Sequence, residues 1–280
     1  MVFQPIIGVG GYAGWRVLEA TDARQRETFE RSPLLLRNIE YFRENITKAT
    51  SAEDLIKDRQ LLEVALGAYG LSEEINKQGF IRKVLEEGTE DSRAFANRLG
   101  DTRYRELAKA FDYGNIGGGA NILLTSFRED VIARYKSLEF ERAVGEVDND
   151  MRLAMNFKRE IAKIAESGAE ESTAWFQVMG QQPLLEVVRT AFNLPTEFSS
   201  LDVDRQQKTF ADKAQQFLGD SSPAVFQDED VVNDMIRRFF LSRQVQNGPS
   251  GATPGFAALT LLQSSGFGGV GGANLFLSQA

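Results

Sequence analysis

Apolar residues recur along most of the chain at intervals of three and four. Leu61, Leu62, Ala65 and Tyr69 fall on one face of a helix. Tyr104, Leu107, Ala108 and Phe111 make a second such face, and Leu153, Phe157, Ile161 and Ile164 a third. Val231, Val232, Met235, Ile236, Phe239 and Phe240 make a fourth, wide enough to be largely buried. Clear runs of strict alternation are absent, so no β-sheet is expected. The pattern predicts an all-α protein of about a dozen helices, most of roughly 8 to 20 residues.

Punctuation agrees with that period. Ser51 followed by Glu53 and Asp54 reads as an N-cap with an acidic first turn. Pro33 after Ser32 suits the first position of a new helix. Gly70, Gly88, Gly100 and Gly180 stand where helices should stop, and Pro195 and Pro223 mark further breaks. The longest helix is expected over Asn121 to Gly145, joining two halves of the chain. Gly114 to Ala120 reads as a flexible glycine-rich connection. From Asn247 to Ala280 the chain is rich in Gly and Ser, poor in charge, and expected to be loosely ordered with one short helix near Phe256.

A duplication runs through the sequence, and it should be sought early in any reading. Phe29-Glu30-Arg31 returns as Phe140-Glu141-Arg142. Leu61-Leu62-Glu63-Val64, leading to Ala68-Tyr69 and Leu71, returns as Leu184-Leu185-Glu186-Val187, leading to Ala191-Phe192 and Leu194. Phe42-Arg43 with Ile46, Phe95 to Arg98, Leu99-Gly100-Asp101 and Gly118 to Asn121 have counterparts in the same order. The interval drifts from 111 to 153 residues, so insertions lie between the matched islands. The matched positions are mostly apolar, which makes the repeat first a packing unit. The expected architecture is two tandem homologous helical units, 1–127 and 128–246, packed into one bilobed body, with a tail over 247–280.

Composition narrows the chemistry. Of 280 residues, 42% are apolar and 26% charged, ordinary for a folded globular chain. A net charge of −8 repels nucleic-acid backbones and anionic lipid surfaces, and no basic run offsets it. The chain has neither Cys nor His. That removes disulfides, thiolate nucleophiles, Cys-ligated metals and the side chain best suited to proton transfer near neutral pH. Met1 to Gly14 has no basic n-region, and no stretch approaches 18 apolar residues, so neither a signal segment nor a membrane span is expected.

The motifs that suggest chemistry have plainer readings. Gly114-Asn115-Ile116-Gly117-Gly118-Gly119 lacks the Gly-Lys-Ser/Thr ending of a phosphate loop and follows a helix rather than a strand. Asp148-Asn149-Asp150 lacks the central Gly and final Glu of a calcium loop and reads as a helix cap. Asp228-Glu229-Asp230 reads as dipole-stabilising acids at a helix start. Glu63 and Glu186, matched across the repeat, either pair with cations such as Arg59 or Arg189 or form an acid–base couple. Trp15 is an interface anchor or a packing residue. The sequence offers no catalytic residue, cofactor site or metal site.

The stretch Ser51-Ala52-Glu53-Asp54-Leu55-Ile56-Lys57-Asp58-Arg59-Gln60-Leu61-Leu62-Glu63-Val64-Ala65-Leu66-Gly67-Ala68-Tyr69-Gly70-Leu71 resembles an uncharacterised alphaproteobacterial family, a domain of unknown function. So do Phe80 to Gly88, Phe95 to Arg98 and Asp101 to Phe111. The resemblance covers most of residues 12–245; the second copy departs from it at Gln181-Gln182-Pro183. Members are often encoded among flagellar genes, and some carry several copies. The resemblance implies a non-catalytic, flagellum-associated protein, cytoplasmic or on the organelle, acting through protein–protein contacts in assembly, export or structure. Protein partners, among them flagellar components, are expected, and a homo-oligomer is left open. The expected contact residues are Phe256, Leu259, Leu262, Leu275 and Phe276 of the tail. The rival classes are a small-molecule binding module with a cavity between the repeats and a carboxylate-based enzyme.

Overall fold

Thirteen α-helices and five 3-10 turns make up the regular structure of the described residues, and no strand occurs among them. The computed structural model describes residues 4–8 and 10–247. The first seven helices are α1 (Gly11–Glu30), α2 (Pro33–Asn45), α3 (Ala52–Lys57), α4 (Arg59–Gly67), α5 (Gln78–Glu87), α6 (Phe95–Arg98) and α7 (Thr102–Phe111). They are followed by α8 (Thr125–Val147), α9 (Asn149–Glu166), α10 (Glu171–Met179), α11 (Gln182–Ala191), α12 (Val203–Leu218) and α13 (Glu229–Asn247). The all-α reading of the sequence is what the fold shows.

Short polar side chains start these helices. Ser51 and Asp54 form a reciprocal box: the Ser51 hydroxyl accepts from the Asp54 amide, and the Asp54 carboxylate accepts from the Ser51 amide, both at 3.1 Å. Asp58 caps α4, Asp101 caps α7 and Asp202 caps α12. Asp148 accepts from the amides of Asp150 and Met151, so the acidic triplet starts α9. Asp228 does the same for Asp230.

The ends of α4 and α11 close alike. The Leu71 amide donates to the Leu66 carbonyl at 2.8 Å and the Leu194 amide to the Arg189 carbonyl at 2.9 Å. The residue before each leucine is left-handed, Gly70 at φ 68° and Asn193 at φ 54°. Gly and Asn are the residues that tolerate this conformation at least cost.

Two boundaries differ from the sequence expectation. The longest helix begins at Thr125 rather than Asn121. The Asn121 side chain donates to the Ala110 carbonyl at 3.1 Å, and Ala120–Leu123 is drawn into a 3-10 turn. The glycine-rich stretch before it is a packed turn, not a loose connection. Asn115 Oδ1 accepts from the amides of Thr89 and Glu90 at 2.7 and 3.2 Å, and Tyr113 donates to the Ala49 carbonyl at 2.6 Å. A side chain on Gly114 would run into the backbone of Glu86 and Gly88.

One apolar core runs from Ile7 to Phe240. α2 packs on α4 and α3 on α5; α9 packs on α11 and α10 on α12. α8 lies across α4, and α13 lies across α11 and reaches α1. Phe42, Phe140, Phe157, Trp175, Phe210 and Phe239 are fully enclosed. Each contributes roughly 2–3 kcal/mol by removal from water. A small satellite cluster of Val84, Ala96 and Ala108 sits beneath Phe80, Phe95 and Tyr104.

Candidate functional site

α1 presents Trp15, Leu18, Glu19, Asp22 and Arg26 on one stripe, because these positions follow the helical repeat. Opposite stand Ser137 and Glu141 of α8, with Met155, Lys158 and Arg159 of α9. Together they line a cleft of about 340 Å³. Its floor is apolar: Trp15, Leu18 and Met155 are 4%, 1% and 8% exposed. Trp15 is held from behind by Phe240 of α13, with ring centroids 5.9 Å apart.

The cleft continues along the α1–α8 seam into a shallower depression of about 280 Å³ beside Glu30, Glu129, Ala133 and Lys136. Arg26 and Ser137 line both. Phe29 of α1 and Phe140 of α8 meet across this seam, edge to face with centroids 5.6 Å apart. Arg26 lies 4.5 Å above the Phe140 ring, an arrangement favoured by the ring quadrupole.

The walls are charged, and each charge is answered. Glu141, 5% exposed, receives two hydrogen bonds from Arg159 at 2.8 and 3.1 Å. Such fork-to-fork pairing offsets the cost of burying a carboxylate. Asp22 pairs with Arg26 at 2.7 Å. Lys158 bridges Glu19 at 3.3 Å and Glu229 at 3.0 Å. Burial pulls the Lys158 pKa down, and hydrogen bonds to Glu229 and Glu19 more than offset this, leaving it above the usual lysine value. At the far end Arg43 holds Glu129 through two hydrogen bonds at 2.9 and 3.0 Å and lowers its carboxyl pKa.

Apart from Trp15, the residues singled out in the sequence lie elsewhere. The expected contacts Phe256, Leu259, Leu262, Leu275 and Phe276 are outside the described residues. Trp15 packs in the core and also forms the cleft floor. Glu63 and Glu186 sit in separate settings. Glu63 accepts from the buried Asn38 amide at 3.3 Å. Glu186 pairs with Arg189 at 2.9 Å and Arg243 at 2.7 Å. Asp150 joins that cluster through Arg243 at 3.2 Å; burial raises its pKa. No group of three or more His, Cys, Asp or Glu among the described residues is placed to hold a metal ion. Apart from Trp15, the sequence does not single out the cleft residues, because α1 is more than ninety residues from the α8–α9 pair it faces. Their one signal was the recurrence of Phe29-Glu30-Arg31 as Phe140-Glu141-Arg142, which straddles the seam.

Comparison with known proteins gives the family. A family described as protein of unknown function (DUF1217) matches residues 68–232, more than half of the chain and the span from the end of α4 into α13. The chain belongs to this family. The DUF1217 match spans α8 and α9 but not α1, so it holds two of the three cleft walls. An X-ray crystal structure of protein AGR_C_984 from Agrobacterium tumefaciens is similar to this chain at 30% identity. The similarity covers 88% of this chain and 98% of that one, with a TM-score of 0.71. No curated protein matches the chain significantly. Among the described residues, no helix is long and apolar enough to cross a membrane.

Proposed function

We propose that this DUF1217 protein is a non-catalytic, flagellum-associated protein that binds a partner helix in the α1–α8–α9 cleft. The flagellar part of this reading rests on the family resemblance. The binding part rests on one observation: a cleft floored by Trp15, Leu18 and Met155, each nearly enclosed, runs between rims of paired charge. A helix laid in such a groove buries its apolar stripe while its polar flanks meet Asp22, Arg26 and Lys158. The carboxylates on the cleft wall are engaged by cations, Glu19 by Lys158, Asp22 by Arg26 and Glu141 by Arg159. We take the two halves to be homologous units; the like closures of α4 and α11 and the Phe29–Phe140 contact at the seam support that reading.

The test is fractionation of motile cells into basal bodies, cytoplasm and medium, with the wild-type chain and a rim variant carrying Asp22→Arg and Lys158→Glu. Wild type is expected in the flagellar fraction, and the folded rim variant is expected to lose it. A folded rim variant that still co-purifies with basal bodies removes the cleft from the reading. A wild-type chain absent from the flagellar fractions removes the association itself. Removal of residues 247–280 in a parallel strain tests the tail contacts in the same way.

A second reading uses the same cleft. Its volume lies at the lower end of the range typical of small-molecule sites, and it falls between α1 and α8–α9. Mass spectrometry of the native protein, finding a retained small molecule that the rim variant loses, favours that reading.

A further inference from the structure

Beside the cleft-facing stripe of α1 runs a second stripe, Val17, Thr21 and Gln25. Gln25 is 7% exposed, and its amide is fully committed. Its Oε1 accepts from the Ile6 amide at 2.8 Å, and its Nε2 donates to the Ile6 carbonyl at 2.9 Å. Nε2 also donates to Thr21 Oγ1 at 2.8 Å, and the Thr21 hydroxyl spends its own proton on the Val17 carbonyl at 2.7 Å. That order of donors fixes which end of the Gln25 amide is oxygen. The side chain therefore reads the N–H and the C=O of one extended residue.

The segment it holds alternates as an extended chain must. Pro5 and Ile7 are buried, whereas the Ile6 side chain is 71% exposed. Ile7 belongs to the main core. Recognition thus combines backbone hydrogen bonds with pockets for alternate side chains, the chemistry by which proteins bind extended peptides. Gly8 follows the segment with positive φ, at 73°, and α1 itself opens on Gly11, at 72°. Glycine carries the least conformational constraint, so the chain can turn at Gly8 without refolding α1.

We propose that the Gln25 face of α1 is an exchangeable peptide slot. It holds residues 5–7 of its own chain and accepts residues 5–7 of a second copy in their place. The occupant's chemistry is stated by the segment already seated there: a buried proline, an exposed residue read through its backbone, and a buried isoleucine. Exchange between identical chains recreates every contact in trans, so it needs no new complementarity. This goes beyond the cleft and does not depend on it.

Two complementary variants of the full chain test the proposal. Ile7→Asp spoils the segment and leaves the slot; Gln25→Ala spoils the slot and leaves the segment. Each alone is expected to sediment as a monomer. An equimolar mixture is expected to give a heterodimer by sedimentation velocity and native mass spectrometry, tightening at least tenfold over either variant alone. Monomers only, from two variants with native circular dichroism, overturn the proposal. Where a variant fails to fold, hydrogen exchange in the wild-type chain decides. The Ile6 amide is expected to exchange at least tenfold faster than the slowest amides of α1, with no dependence on low denaturant. Exchange of Ile6 only at the rate of global unfolding overturns the proposal.

Discussion

Replacing Phe140 by alanine should weaken the protein more than almost any other single change at the α1–α8 seam. Phe140 is fully enclosed, and its ring meets Phe29 edge to face at 5.6 Å with Arg26 above it at 4.5 Å. Removal of a buried Phe side chain costs about 3–5 kcal/mol, because the cavity closes only in part. The ring pair adds about 0.5–1.5 kcal/mol. Arg26 is partly exposed and already pairs with Asp22, so its stacking adds under about 1 kcal/mol. The sum is about 3.5–7 kcal/mol, which for a chain of this size lowers Tm by roughly 10 °C or more. The assay is urea unfolding followed by circular dichroism, run as a cycle with Phe29→Ala and the double variant. A coupling of about 0.5–1.5 kcal/mol is expected between the two rings. Val245→Ala, on a side chain 82% exposed, serves as the control and should stay within about 0.5 kcal/mol of wild type. A Phe140→Ala cost below about 1 kcal/mol, or rings that do not couple, would refute the claim that this pair stabilises the seam.

Three further outcomes are expected. Gly67→Ala should destabilise by about 1–3 kcal/mol in thermal melts although alanine is the better helix former, since its Cβ would come within 2.6 Å of the Tyr135 ring, which is 2% exposed. Ser51→Ala should cost about 1 kcal/mol by removing the box that starts α3, measured by the shift in urea midpoint. Burial works to raise the Glu186 carboxyl pKa, but Arg189 and Arg243 outweigh it and hold it below the ordinary glutamate value. A carboxyl with a depressed folded-state pKa stabilises the fold above its unfolded value of about 4.3, and that contribution is lost as pH falls through the folded value. Glu186→Gln should therefore flatten the acid limb of a stability–pH profile; an unchanged slope would mean the two arginines do not hold this carboxylate. Asp150 works in the opposite sense, because burial raises its pKa and its ionised form is the disfavoured one.

Much of the fold was legible along the chain. Helical spacing marked the buried faces of α4, α7, α9 and α13, and the acids at Asp148 and Asp228 were correctly read as helix starts. These are local matters: a 3.6-residue period and a cap need only neighbours in sequence. The Gly114–Ala120 stretch departs from its sequence expectation for the opposite reason. Nothing local says that Asn115 will reach Thr89 and Glu90, or that Gly114 will lie against Glu86 and Gly88. The candidate cleft was illegible for the same cause. Leu18 and Met155 are ordinary apolar positions of two amphipathic helices until those helices are laid side by side.

By itself the sequence determined an all-α chain, the faces its helices bury, and the absence of thiol and imidazole chemistry. Periodicity, capping and composition are properties of residues and their near neighbours, so they survive without coordinates. Only the tertiary structure decided that Phe29 meets Phe140, that Glu141 is buried against Arg159, and that Gln25 grips the backbone of Ile6. Each of those depends on how two amphipathic surfaces register, and registry is settled by the packing of the whole core rather than by any one segment.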